Sequence, residues 1–347
     1  MITDLPTPPG GSELLRTRAL TKHFKMGGVF SRSHLHAVDG IDLVIGENEI
    51  VAVVGESGSG KSTLARLIAM VYKPTSGEIL HRGSPISALR SRRKILDYRG
   101  RVPMVFQDPY GSLSPVYRVS HGLMRSLKLH RTDLSDRGRR QEAEYLLESV
   151  GLTPPADFLA KYPYELSGGQ RQRIGFAQAL ACRPELILAD EPVSMLDVSV
   201  RIGVLNLMSS LRRRERISFL YITHDIASAR YVADRIVVMY AGQIAETGPV
   251  EDVLAHPKHP YTQLLLSAVP DPRAPVSVPA SAEVQEPPRV IDPQAGCRFR
   301  DRCPFAIDEC SRVTPRLRLL RPDHEAACHV AASDMEGGEQ VSGALLN

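Results

Sequence analysis

At 347 residues the chain is long enough for one large domain or two smaller ones, and its 43% apolar content is ample for an ordinary core. No stretch approaches the roughly 18 uninterrupted apolar residues of a membrane span, and the first residues carry no basic segment followed by an apolar one, so a cytoplasmic protein is expected. With 43 basic and 39 acidic residues the net charge is +4, a near balance that speaks against non-specific nucleic-acid binding as the main task. The arginine clusters at residues 90–93, 137–140 and 212–216 have no interleaved aromatics and read as solvated helix faces.

Residues 1–13, rich in Pro, Gly and Thr, read as a disordered leader. Residues 14–24 form a predicted strand ending in Phe24, residues 27–36 a loop, and residues 38–45 alternate as a strand with one buried face. The apolar run Ile50–Val54 then enters Gly55-Glu56-Ser57-Gly58-Ser59-Gly60-Lys61-Ser62-Thr63, after which Leu64, Leu67, Ile68 and Val71 follow at helical spacing. A strand, G-x-x-x-x-G-K-[ST] and a helix make the phosphate-binding loop of a nucleotide hydrolase. Glycines let the backbone turn its N–H groups inward, and the helix adds the positive end of its dipole. Lys61 is placed to reach the β- and γ-phosphates and Ser62 to hold Mg²⁺.

Further strands are predicted at residues 77–80 and 102–106, the second leading into Gln107-Asp108-Pro109. Residues 112–183 turn helical, as an insertion in an α/β frame, and include Ser167-Gly168-Gly169-Gln170. Strands return at residues 186–190, 217–223, 235–240 and 243–247, with a helix over 198–214. Such alternation predicts a mainly parallel sheet covered on both faces. Asp190 and Glu191 fall at the carboxyl end of a buried strand, where a parallel sheet presents its chemistry. Asp190 suits Mg²⁺ and Glu191 the base that polarises an attacking water.

The phosphate loop, Gln107, Ser167–Gln170, the Asp190–Glu191 pair, Ser194-Met195-Leu196-Asp197 and His224 come in the order of an ABC-type ATPase subunit, and over residues 14–248 the chain resembles that family. Gln107-Asp108-Pro109-Tyr110-Gly111-Ser112-Leu113, His259-Pro260-Tyr261-Thr262 and the terminal cysteines resemble the oligopeptide/dipeptide importer branch. The resemblance implies a P-loop ABC-type α/β domain over residues 14–269, with a helical subdomain at about 112–183. It implies an adenine-stacking role for Phe24, with a strand-end core aromatic as the alternative. It makes Ser167, Gly168, Gly169 and Gln170 the signature loop for a partner's γ-phosphate, Asp197 a loop linking the two sites, and Gln107 and His224 sensors of Mg²⁺, γ-phosphate and water. Met195 departs from the small residue usual in such a loop. It also implies two ATPase subunits closing head to tail on ATP, alike or different. They would sit at the cytoplasmic membrane face on two transmembrane permease subunits, with an extracytoplasmic substrate-binding protein beyond and no nucleic acid. Relatives of this architecture also serve nickel, glutathione and sugars. A soluble ABC ATPase acting on nucleic acid would be expected to carry tandem cassettes, a coiled coil or a basic groove; an ATP-binding regulatory subunit would not need Glu191 and His224.

Residues 270–295 read as a linker, 296–329 as a small cysteine-rich module and 330–347 as a tail. Cys297, Cys303, Cys310 and Cys328 are spaced C-x5-C-x6-C-x17-C, which matches neither the usual paired zinc spacing nor the bacterial ferredoxin run. Four thiolates in a segment with little apolar content still point to a bound centre that holds it together. The resemblance favours a [4Fe-4S] cluster, with Zn²⁺ and metal-free thiols as alternatives; His324 and His329 could replace a ligand. Cys182 reads as a small buried apolar residue.

Overall fold

The structure, a computed structural model, describes residues 12–27, 33–107, 113–268 and 290–331. Residues 1–11 of the expected leader, 28–32 of the expected loop, most of the linker, residues 332–347 of the tail and the segment 108–112 lie outside the described residues, while Glu13, expected in the leader, opens the first strand.

Strands β1 (Glu13–Lys25) and β2 (His34–Gly46) form an antiparallel pair. They open a four-stranded sheet of order β2-β1-β4-β5, completed by β4 (Ser76–His81) and β5 (Ser84–Pro85) once the chain has passed through β3 (Ile50–Val54) and helix α1 (Lys61–Ile68). Helix α2 (Arg92–Arg101) precedes β6 (Met104–Val105). Four helices follow: α3 (Val119–His130), α4 (Asp136–Ser149), α5 (Pro155–Ala160) and α6 (Gly168–Leu180). Strand β7 (Leu186–Asp190), helix α7 (Val198–Glu215), β8 (Ser218–Thr223), α8 (Ile226–Val232), β9 (Arg235–Tyr240) and β10 (Gln243–Pro249) then alternate. Helices α9 (Val250–Ala255) and α10 (Pro260–Ser267) end the main body. After residue 290 come α11 (Asp308–Arg312) and the hairpin β11 (Arg318–Arg321) and β12 (His324–Ala326).

The large sheet has the order β11-β12-β10-β9-β3-β8-β7-β6, parallel from β9 to β6. Its central strands β3, β7 and β8 are buried at every position, which is why β3 and the middles of β7 and β8 read as apolar runs. One core lies between this sheet and the helices of residues 119–215, with Phe176, Phe219 and Tyr221 among its large side chains. A second joins the sheet's other face to α1 and the antiparallel sheet.

Three local readings differ. Helix α1 ends at Ile68 because Met70 adopts a left-handed backbone (φ 55°), leaving Val71 beyond the helix and 54% exposed. The strand expected over 102–106 shrinks to two residues, since Val102 closes α2 and Pro103 has no N–H to give a ladder. The cysteine-rich segment does not stand alone: β12 pairs antiparallel with β10, Glu246 opposite Ala326, so its hairpin extends the main sheet. That junction is polar and buried. The fully buried Glu246 takes the N–H groups of Lys258 and His259 and pairs with His324 at 2.6 Å.

His259 caps α10, its Nδ1 accepting from Tyr261 N at 3.0 Å, and burial pushes its pKa down to about 4 despite the opposing field of Glu246. The unfolded chain therefore binds a proton that the native state refuses. Stability is complete above about pH 6.5 and falls as pH drops towards 4, by about 3 kcal/mol from this group. His259→Asn retains a capping oxygen and removes the titration. Urea midpoints between pH 4 and 7 are expected to flatten in that variant relative to the parent.

Candidate functional site

Parallel strands expose their chemistry at their carboxyl ends, and here four adjacent strands deliver one group each. Val54 leads from β3 into the glycine loop, Thr223 from β8 into His224, Asp190 from β7 into Glu191, and Val105 from β6 towards Gln107. The result is a cleft of about 790 Å³, lined by Ser57, Gly58, Gly60, Lys61, Ser62 and Thr63 on one wall and by Gln107, Glu191 and His224 on the other.

The loop can only be built from glycine at two points. At Gly55 (φ 153°) a Cβ would sit 2.2 Å from the Met239 carbonyl oxygen, and at Gly60 (φ 104°) it would sit 2.1 Å from that of Ala37. Gly60 starts α1 with no side-chain cap, which leaves the helix N-terminus to a ligand. Lys61 is 4% exposed and folds back to donate to the carbonyls of Gly55 (2.7 Å) and Glu56 (2.8 Å). Burial pulls its pKa below the usual lysine value, against the fields of Glu191, Asp190 and Glu56. Ser59 is buried beneath the loop with its Oγ unpartnered, and its carbonyl accepts from Gly242 N.

Ser62 Oγ donates to Asp190 Oδ1 at 2.7 Å. Asp190 is 2% exposed, and burial raises its pKa in spite of Ser62 and Arg66. A buried carboxyl of this kind, with a hydroxyl beside it, fits a divalent cation. Glu191 holds a left-handed backbone (φ 46°), and its Oε2 accepts from Gln107 Nε2 at 3.1 Å and lies 3.3 Å from His224 Nδ1. A non-glycine residue in that region carries backbone strain.

Phe24 lines the same cleft, edge-on to Tyr72 and with Lys22 Nζ 5.1 Å from its ring centre. Val290 faces the cleft as well, from a segment expected to be linker. Residues 290–292 run along β2, where His36 N donates to Val290 O and Leu35 bridges Ile291. No motif marks Val290; only the pairing of its backbone with β2 reveals it.

The remaining candidates lie apart. Ser167 is exposed and forms a reciprocal capping box with Gln170, at 3.3 and 3.0 Å, at the start of α6. Gly169 has room for no Cβ, which would meet Val200 at 2.3 Å. Asp197 is exposed at the start of α7. None of Ser167, Gly168, Gly169, Gln170 and Asp197 lines the cleft. Cys182 is half-buried and borders a separate cavity of about 670 Å³, with burial raising its pKa to about 11.

Cys297, Cys303, Cys310 and Cys328 converge closely enough for their thiols to feel one another, and Cys297 N donates to Cys310 O. Burial raises the pKa of Cys297 to about 11 and also pushes up Cys303 and Cys328, so a metal would have to displace their protons. Among the described residues, the group of three ligand atoms within 4.8 Å of one another is His23, His36 and Asp39, so no three thiols are that close. His324 is committed to Glu246, and His329 Nε2 contacts Val313 O.

A glycine loop and a run of polar groups along one parallel edge define a P-loop nucleotide-hydrolase cassette. The family described as ABC transporter matches residues 38–194, and the one described as oligopeptide/dipeptide transporter, C-terminal region, matches residues 245–310. The chain is 42% identical over 326 residues to a probable peptide ABC transporter ATP-binding protein, y4tS, of Sinorhizobium fredii, covering 92% of this chain and 90% of that one. It is 41% identical to the oligopeptide transport ATP-binding protein AppF of Bacillus subtilis, covering 91% and 97%. Among solved structures it is similar to the ATP-binding cassette MJ0796 in a dimeric post-hydrolysis state with ADP and Pi, at 30% identity and a TM-score of 0.61, covering 68% of this chain and 99% of that one. The chain belongs to the ATP-binding subunits of ABC transporters, in the branch that carries the oligopeptide/dipeptide-type C-terminal region.

Proposed function

We propose that the chain binds and hydrolyses ATP to drive import of di- and oligopeptides, paired with a second cassette on two transmembrane permease subunits at the cytoplasmic membrane face. A substrate-binding protein on the far side supplies the cargo. The observation that carries the chemistry is the contact of Glu191 with both Gln107 and His224, across the cleft from Lys61 and Ser62. Peptide as cargo is favoured by the relatives' names and by the C-terminal region.

In this reading Phe24 stacks on the base, and Gly55, Ser57, Gly58, Ser59, Gly60 and Thr63 shape the phosphate cradle. Lys61 binds the β- and γ-phosphates. Mg²⁺ held by Ser62, Gln107 and Asp190 supplies neutralising charge. Glu191 takes the proton of the attacking water while His224 and Gln107 orient it. Exposed Ser167, with Gly168, Gly169 and Gln170, addresses the nucleotide of the partner cassette, and Asp197 lies beside that interface; closure and reopening of the pair then transmit the work. The ATPase body spans residues 14–269 with a helical subdomain at about 112–183, and the cysteine-rich module spans 296–329. Cys297, Cys303, Cys310 and Cys328 hold a [4Fe-4S] cluster, in preference to Zn²⁺, that ties the module together.

Reconstituted in liposomes with its permease and binding protein, the ATPase is expected to be stimulated by di- and oligopeptides. Stimulation by nickel, glutathione or a sugar instead would replace the peptide assignment. Anaerobic analysis is expected to find iron and sulfide in equal amounts; one zinc per chain with no colour would overturn the cluster.

A further inference from the structure

The cysteine-rich segment reaches the phosphate loop directly. Arg302 stands at the end of a 3₁₀ turn (Arg300–Arg302), one residue before Cys303. Its Nη1 and Nη2 donate to the two carboxylate oxygens of Glu56 at 2.8 and 2.9 Å, across 246 positions of sequence. The guanidinium lies 5.7 Å from the ring centre of Tyr240 and 5.8 Å from that of Phe299, and the Arg302 side chain is only 17% exposed. Two parallel hydrogen bonds between planar ions, seated against aromatic rings, make a contact of fixed geometry.

Glu56 is the second residue of the glycine loop, and its backbone is engaged as fully as its side chain. Its N–H donates to Tyr261 Oη at 2.9 Å, and its carbonyl is one of the two oxygens that hold Lys61 Nζ. A second contact reaches the loop through the turn between β9 and β10. Arg298, two residues before that turn, bonds to Ala241 O and Asp39, and Gly242 N, next to Ala241, donates to Ser59 O. Burial disfavours the charge on Asp39, but His36, Arg298 and His23 outweigh that and hold its pKa below the usual range.

We propose that Arg302 is a positioning residue for nucleotide binding: by clamping and neutralising Glu56 it sets where the phosphate loop places Lys61, and the C-terminal segment thereby sets the affinity for ATP. Without Arg302 the Glu56 carboxylate would remain as an uncompensated negative charge beside the phosphate site. Binding would suffer, while Glu191, Gln107 and His224 would keep their own contacts.

The test uses the full chain and separates KM from kcat. Arg302→Gln is expected to raise the KM for ATP about tenfold, the scale of a lost charge-assisted hydrogen bond, with kcat changed less than about twofold. Arg302→Lys, which keeps the charge but not the paired geometry, is expected to fall in between. Adding Glu56→Gln to Arg302→Gln removes the stranded charge and is expected to bring KM back towards the parent. A structural prop would instead lower the melting temperature and kcat together and give no recovery in the double variant. A parental KM in Arg302→Gln, or no recovery on adding Glu56→Gln, overturns the proposal.

Discussion

Glu191→Gln is expected to keep ATP affinity within about twofold of the parent and to cut hydrolysis by about 10²–10⁴, the usual contribution of a positioned general base. The substitution is close to isosteric. Its side-chain oxygen can still accept from Gln107 Nε2, and nothing in the Lys61 contacts to Gly55 and Glu56 depends on the carboxylate. What disappears is the carboxylate proposed as proton acceptor at the strand end. Glu191 is well placed for that task, at 16% side-chain exposure with a left-handed backbone that turns it into the cleft beside His224. The imidazole is 57% exposed, so water can replace part of its role and His224→Ala should cost less. Binding is read by nucleotide titration and turnover by phosphate release. Parental turnover in Glu191→Gln would falsify the assignment of the base.

The glycine loop and the Asp190–Glu191 end of this cleft are legible because they belong to local patterns that a strand's carboxyl end makes meaningful. The run Ile50–Val54 into the glycine loop, and Leu186–Asp190 into Glu191, carry their own context within about ten residues. What could not be read was set by contacts far apart in sequence. The pairing of β12 with β10 and the Arg302–Glu56 clamp depend on where the sheet edge and the loop meet. Val290 enters the cleft through backbone pairing with β2, which leaves no trace in side-chain pattern. The cysteines were visible as a group, but spacing alone gave no hint that their turn grips the phosphate loop. Val71 illustrates the limit on a smaller scale: its spacing continues the helical pattern, but a left-handed Met70 ends the helix before it.

Lys61→Ala is expected to abolish the ATP-induced rise in melting temperature while leaving the nucleotide-free protein as stable as the parent, or more so. The two halves have different physical origins. Lys61 is an ammonium at 4% exposure, and burial already disfavours its charge strongly enough to lower its pKa. Removing it deletes a desolvated ion along with its two carbonyl partners' bonds, and those effects oppose each other. With nucleotide present the balance changes, because charge-assisted bonds to phosphate contribute about 1.5–3 kcal/mol each and alanine offers none. Two such bonds correspond to a loss of affinity of about 10² or more, enough to erase the mass-action stabilisation seen in a thermal scan. Lys61→Arg is expected to fail as well, since the broader guanidinium has to fit where Nζ sits between Gly55 O at 2.7 Å and Glu56 O at 2.8 Å. The signature distinguishes this variant from Glu191→Gln, which should still show the full thermal shift without turning over. An undiminished shift in Lys61→Ala would mean that the loop amides and the N-terminus of α1 hold the phosphates by themselves.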